Sequence, residues 1–403
     1  MLRIKFDFSL CVVIELLLVF GIVIGTIMQV SSLISLCFYL SFLVLLAYAF
    51  KRALSVKFGF LPLLLVFLTV ISVLINGWLS PEASWGFSYF KKMFMFIAFC
   101  LFFYFVTEDD IDVKCGKSIR RMPILMAVLL VVSYYSGFNE RMLGRYLTLG
   151  FTNPNFTGMW LLHFFIFAFL GMIDKCETKT VRIISALLLL PIVHLITMTK
   201  SRSCLLALVA YGGFCLAAYV VKNRRRMRWI SVIALFFPLL FALAYQYLLT
   251  SVWFVDIFEV FSAEGKGLDS RSGVWISAIE AIQGSPLWGD YSGISDGTGM
   301  SQMHNIYLDV FASYGLGVGV LFFVLLLGRC NQIIDHADNF YQYCAMSGFL
   351  AVIIMGTFEA AMVSGAMGMN ILTALLVALV RQKQNGDLDN WNLLTKQRVV
   401  LRG

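Results

Sequence analysis

His304 is the residue of this chain best suited to moving a proton. Only four histidines occur; His163 and His194 lie inside strongly apolar runs, and His336 lies in a connection between two of them. His304 instead stands where a polar stretch gives way to an apolar one, in Met303-His304-Asn305-Ile306-Tyr307. An imidazole takes up and releases a proton near pH 7 as no other unperturbed side chain does. The plainer alternative is a hydrogen-bonding residue at a helix start. Cations cluster at a few further places. Lys200 and Arg202 sit in Thr199-Lys200-Ser201-Arg202-Ser203, squeezed between two apolar runs, and Arg271 opens the stretch that reaches Trp275. Such side chains either hold an anion or reach out to lipid headgroups. Glu15 and Glu359 fall within apolar runs, where a carboxylate is costly. With no further acids gathered around them, hydrogen bonding between helices suits both better than a proton path. The nine cysteines form no C-x-x-C pattern and none lies within residues 251–303, so neither a metal site nor a disulfide framework is expected.

These residues must be positioned by elements that live in lipid. The chain is 60% apolar and 13% charged, whereas a soluble domain is about a quarter charged. Apolar runs long enough for a hydrocarbon core of about 30 Å lie at 9–28, 33–50, 60–76, 93–107, 123–138, 156–173, 183–199, 203–221, 229–250, 304–328, 341–360 and 363–380. Lipid leaves only helices or a closed barrel as spanning structures, and unbroken runs without period-two alternation exclude the barrel. The expectation is an all-α, polytopic bundle of about 12 spans, with residues 1–403 as a single integral membrane domain. The first run has a basic lead but no small-x-small cleavage site and reads as a retained helix. With Met1 cytoplasmic, the outer side keeps eight of the 31 Lys and Arg: Lys91, Lys92, Arg141, Arg145, Lys200, Arg202, Lys266 and Arg271. The other 23 fall on the cytoplasmic side, as the positive-inside rule requires, so both termini are expected there. The net charge of +8 then reports topology and anionic lipid, not a nucleic-acid partner.

One connection is long. Residues 251–303 form an extracytoplasmic loop in which Trp275, Ile279 and Ile282 recur at helical spacing before Gly284-Ser285-Pro286 ends the pattern. That predicts a short amphipathic helix lying on the membrane, with Arg271 near its start. Elsewhere Asn153-Pro154-Asn155 predicts a turn and N-cap for the span from Phe156.

In this order, the motifs resemble those of the O-antigen ligase and Wzy-type polysaccharide polymerase superfamily of bacterial membrane glycosyltransferases. The matching pieces are Asn153-Pro154-Asn155-Phe156-Thr157-Gly158, Thr199-Lys200-Ser201-Arg202-Ser203, Ser270-Arg271-Ser272-Gly273-Val274-Trp275, Ser285-Pro286-Leu287-Trp288-Gly289, His304-Asn305-Ile306-Tyr307-Leu308 and Gly315-Leu316-Gly317. The resemblance covers roughly residues 140–330 and implies a GT-C-type fold in the bacterial cytoplasmic (inner) membrane. It also implies glycan donors and acceptors carried on undecaprenyl pyrophosphate, no cofactor, no metal, and a chain-length regulator and a flippase as partners. Carried onto this sequence, Arg202 and Arg271 grip the donor pyrophosphate, and Lys200 and Arg145 assist. His304 activates the acceptor hydroxyl as general base, with Asn305 favoured over Asp309 as the residue that orients it; Asn305, Tyr307 and Trp275 line the substrate. Guanidiniums are always charged and bind phosphate oxygens bidentately, so two of them suit a leaving group held without Mg²⁺. Polymerase is preferred to ligase because the Thr-Lys-Ser-Arg-Ser and Met-His-Asn-Ile-Tyr forms look more like capsular and exopolysaccharide polymerases. A lipid-linked sugar transporter should show internal repeats, which are not evident, and glycan polymerases of the shape and division type lack this Arg-Arg-His set.

Overall fold

The structure, a computed structural model, describes residues 36, 37, 40, 43, 60–79, 87–105, 113–138, 142–151, 153–221, 223–248, 269–290, 303–337, 339–360, 363 and 369–378. The runs expected at 9–28 and 33–50, Glu15, and most of the 251–303 loop lie outside the described residues. The elements in chain order are α1 (Phe60–Leu79), α2 (Phe87–Phe105), α3 (Val113–Tyr135), β1 (Met142–Leu143), β2 (Tyr146–Leu147), α4 (Pro154–Ile173) and α5 (Lys179–Thr199), followed by α6 (Arg202–Val221), α7 (Arg224–Leu248), α8 (Asp269–Gly284), α9 (Ile306–His336), α10 (Phe340–Met355) and α11 (Met369–Ala378). Among the described residues six helices are long and apolar enough to cross a membrane: α1, α4, α5, α6, α7 and α9.

Short connections make sequential helices antiparallel neighbours, so chemistry and charge sort to opposite ends. At one end Arg120 pairs with Asp174 at 3.1 Å, Arg121 with Glu177 at 2.7 Å, and Arg228 with Asp335. At the other end stand the starts of α4, α6, α8 and α9 and the end of α10. Ile306 N donates to Gly356 O at 2.8 Å, joining the end of α10 to the start of α9. His163, inside α4, is a satisfied core residue: its ring bridges Met159 O at 2.8 Å and Thr373 Oγ1 of α11 at 2.9 Å.

α9 breaks at Gly315, with φ 86° and ψ 168°. A break at this depth frees carbonyl groups that lipid cannot satisfy, and each finds a partner. Ala312 O accepts from Asp290 N at 2.8 Å, Ser313 O from the Tyr89 hydroxyl at 3.2 Å, and Tyr314 O from Ser72 Oγ at 2.9 Å. The turn Ser285–Gly289 docks into the break: Leu316 N donates to Pro286 O at 2.8 Å, and a Cβ on Gly315 would overlap the Leu287 carbonyl. Two motifs read separately in the sequence are thus one contact.

That docking draws α8 onto protein. Trp275 and Ala278 are fully buried against Ala242 and Tyr245 of α7 and Leu308 and Ala312 of α9. Trp275 Nε1 donates to Met303 O at 3.0 Å. The apolar face expected from Trp275, Ile279 and Ile282 is the buried one, but helices cover it where membrane was expected.

Candidate active site

Glu359 is the hub of the end where four helices begin. It was expected inside a span at 341–360; instead α10 stops at Met355, and Glu359 follows on the turn that ends it, 4% exposed. Its Oε1 accepts from Asn155 Nδ2 at 2.8 Å and from Arg271 Nη2 at 2.9 Å, and its Oε2 faces His304 Nδ1 at 3.3 Å. Arg271 also donates to Phe358 O and lies over the Phe358 ring, 5.9 Å from its centroid. Burial alone would raise the Glu359 carboxyl, but the His304 hydrogen bond and the Arg271 charge outweigh it and hold the group below its ordinary range. A buried carboxylate with three donors is a fixed, ionised anchor.

The segment carrying His304 is held in an uncommon shape. His304 has φ 52°, a left-handed conformation that few non-glycine residues adopt. Asn305, directly after it, is the N-cap of α9 and accepts from Tyr307 N and Leu308 N, both at 3.1 Å. Its amide donates to Pro238 O at 2.8 Å and Thr357 O at 3.2 Å. Asp309 Oδ1 accepts from Lys92 Nζ at 3.0 Å and from Met303 N at 2.9 Å. Lys92, counted by the sequence among the outer cations, is a buried residue that also donates to Ser313 Oγ at 2.9 Å. Neither Asn305 nor Asp309 therefore orients the His304 ring; Glu359 touches it instead, while Asp309 fixes the residue before it. Strained backbone of this kind persists only where its surroundings over-determine it.

Arg202 is exposed at the first position of α6. A Cβ on Gly158 would stand 2.9 Å from Cys204 Sγ and 3.0 Å from Ser201 Cβ, so the first turn of α4 lies tight against the 199–204 turn. The Cys204 sulfur is 4.0 Å from that of Met355. Arg202 thus stands on the rim of the same end, outside the groups bonded to Glu359. Lys200 and Arg145 meet elsewhere, over the ring of Tyr146, at 5.9 Å and 5.7 Å from its centroid. Trp275, Tyr307 and Asn305 are fully buried and support the site from within. The structure therefore joins Arg271 to His304, sets Arg202 nearby, and adds Glu359, Asn155, Lys92 and Asp309. Glu359 had a signal: with a short connection after His336, a helix starting at Phe340 must return antiparallel to α9 and deliver its last residues to the end where α9 begins, beside His304.

Residues 186–324 match the family model described as O-antigen ligase, which shows the similarity to the O-antigen ligase and Wzy-type family over that stretch. The match takes in Lys200, Arg202, Arg271 and His304, and leaves out Arg145, Asn155 and Glu359. No curated protein matches the chain.

Proposed function

We propose that this chain polymerises oligosaccharide repeat units carried on undecaprenyl pyrophosphate, at the outer face of the bacterial cytoplasmic membrane, in a GT-C-type bundle of about 12 spans with both termini cytoplasmic. The observation that carries the reading is the single carboxylate of Glu359 holding both Arg271 and His304. A carboxylate at Nδ1 favours the tautomer with its proton there, which leaves Nε2 to accept one. The acceptor hydroxyl oxygen attacks the anomeric carbon of the donor glycan, its proton passes to His304 Nε2, and the bond from that carbon to the pyrophosphate oxygen breaks. Undecaprenyl pyrophosphate leaves with the electron pair. Arg271 keeps further N–H donors for the developing charge, Arg202 approaches from the rim, and four helix N-termini add their positive ends. Asn155 and Phe358 O hold Glu359 and Arg271 in place and take no part in the bond changes.

A ligase, passing finished glycan to lipid A–core, is the second reading, because the matched family carries that description. Donor and transition state are the same in both. A chain-length regulator and a flippase belong to the polymerase reading as partners. The test is the surface glycan of a deletion strain on a gel. Single repeats attached to core identify a polymerase, and unattached lipid-linked polymer a ligase. Lipid-linked units trapped in the cytoplasm would overturn the enzyme reading in favour of a transporter. Restoring the gene with Arg271→Ala should leave the deletion pattern unchanged.

A further inference from the structure

Phe358 precedes Glu359 on the turn after α10, and it is the residue there that packing leaves partly open. Every other residue from Ala351 to Ala360 is buried. Its backbone is fixed on both sides: Phe358 N donates to Met355 O at 3.1 Å, and its carbonyl accepts from Arg271. The ring is held as firmly. The Trp275 ring lies 6.2 Å away and near parallel, at 28°, and the Phe241 ring lies 5.2 Å away at 70°. Arg271 and Trp275 stand four residues apart on α8, so one face of that helix presents both to the ring. Phe241 meets it from α7.

A phenyl ring is out of character with the open part of this site. Arg271 and His304 keep side chains 24% and 26% exposed, and both are there for charge or protons. Packing on Trp275 and Phe241 accounts for the covered part of Phe358. It does not account for the open part, since apolar surface left in water costs free energy. Ligand sites combine a few polar groups with aromatic walls. A pyranose ring suits both: hydroxyls line its rim, and the C–H bonds of its apolar face lie against the negative face of an aromatic ring.

We infer that Phe358 is the platform for the donor sugar that carries the pyrophosphate. The inference rests on the glycosyl-transfer reading above. That sugar is bonded directly to the group that Arg271 holds in that reading. Arg271 Cζ lies 5.9 Å from the Phe358 ring centroid, about the breadth of one pyranose. The ligand class is therefore a polyprenyl pyrophosphate bearing a pyranose with an apolar face. Stacking fixes the plane of that sugar, and with it the direction from which the acceptor hydroxyl reaches the anomeric carbon. Phe358 binds and orients; no bond to it forms or breaks.

The test uses the full chain in phosphatidylcholine nanodiscs and two probes: undecaprenyl pyrophosphate, and the lipid-linked glycan extracted from the deletion strain. Wild type should bind the glycan-bearing lipid roughly 10- to 100-fold more tightly, the range expected from covering a phenyl-sized apolar surface. Phe358→Leu, apolar but not flat, should bind both probes alike, with affinity for the bare lipid unchanged. Phe358→Trp should keep the preference. In turnover the Leu variant should raise donor KM by a similar factor, with acceptor KM little changed. Hydroxyl-radical footprinting of wild type needs no variant to fold: the glycan-bearing lipid should protect Phe358 from oxidation, and the bare lipid should not. Equal protection by the two probes, or a preference that survives Phe358→Leu, would overturn the inference. Failure of the donor reading looks different: Arg271→Ala would then bind both probes as wild type does, whatever the Phe358 variants do.

Discussion

Arg271 and His304 are held on different oxygens of one carboxylate, Arg271 at 2.9 Å from Glu359 Oε1 and His304 at 3.3 Å from Oε2. The group that would stabilise the leaving pyrophosphate and the group that would take the acceptor's proton therefore share one positioning residue. Binding charge and moving a proton would then be geometrically coupled through one buried residue, Glu359.

Replacing that anchor tests the coupling. Glu359→Gln keeps the shape but loses the charge, and should lower turnover about 10²–10⁴-fold, the range of general-base contributions. Glu359→Asp should retain more activity because the charge remains. Polymer formed per minute by purified protein, with membrane insertion checked separately, decides the matter; wild-type turnover from Glu359→Gln would contradict it.

The acid side of the stability profile carries the same signature. The Glu359 carboxyl is held below its usual value of 4.5, so between that value and its folded-state value the unfolded chain binds more protons. The stabilisation is fully present above about pH 4.5 and is lost as pH falls through the folded value. Thermal unfolding of detergent-solubilised protein from about pH 6 down to pH 3 should show this decline, and Glu359→Gln should flatten part of it. A parallel decline in both proteins would assign the acid sensitivity to other groups.

The buried pair Lys92–Asp309 should matter for stability and for the His304 segment together. Lys92→Met leaves Asp309, 1% exposed at its side chain, as a buried unpaired charge, a loss worth about 3–5 kcal/mol. Adding Asp309→Leu removes the buried charge and should recover part of that stability while turnover stays low, because Met303 N then loses the oxygen that holds it. Recovery of stability and full turnover together would remove the pair from the positioning of His304.

The break in α9 makes a steric prediction. Gly315→Ala forces a Cβ onto the Leu287 carbonyl, and Gly289→Ala puts one 2.5 Å from Ala312 O. Both should lose folded protein, read by fluorescence-detected gel filtration. Gly213→Ala in α6, where nothing lies within 4 Å of a new Cβ, should fold normally. Tolerance of Gly315→Ala would mean that the Ser285–Gly289 turn does not dock there.

The sequence made the helices and the chemistry legible but not their meeting points. Apolar runs mark α1 and α4 to α7 because lipid demands unbroken apolar length, and Asn153 and Asn305 announce helix starts by residue type. The bonds that assemble the site leave no spacing signal, since Asn155 reaches Glu359 across 204 positions and Lys92 reaches Asp309 across 217. Lys92 looked like one more outer cation because nothing local distinguishes a buried lysine from a snorkelling one. Trp275 announced an apolar helix face correctly, yet periodicity cannot say whether lipid or a neighbouring helix will cover it.

The central claim is that His304, oriented by Glu359, accepts the acceptor's proton. Its most direct test is the initial rate at which purified His304→Gln polymerises lipid-linked repeats. Gln keeps a hydrogen-bonding side chain at the same place but cannot take the proton. The account predicts a rate about 10²–10⁴-fold below wild type, with donor binding retained through Arg271 and Arg202. A near wild-type rate would contradict it and leave His304 as a structural residue ahead of α9.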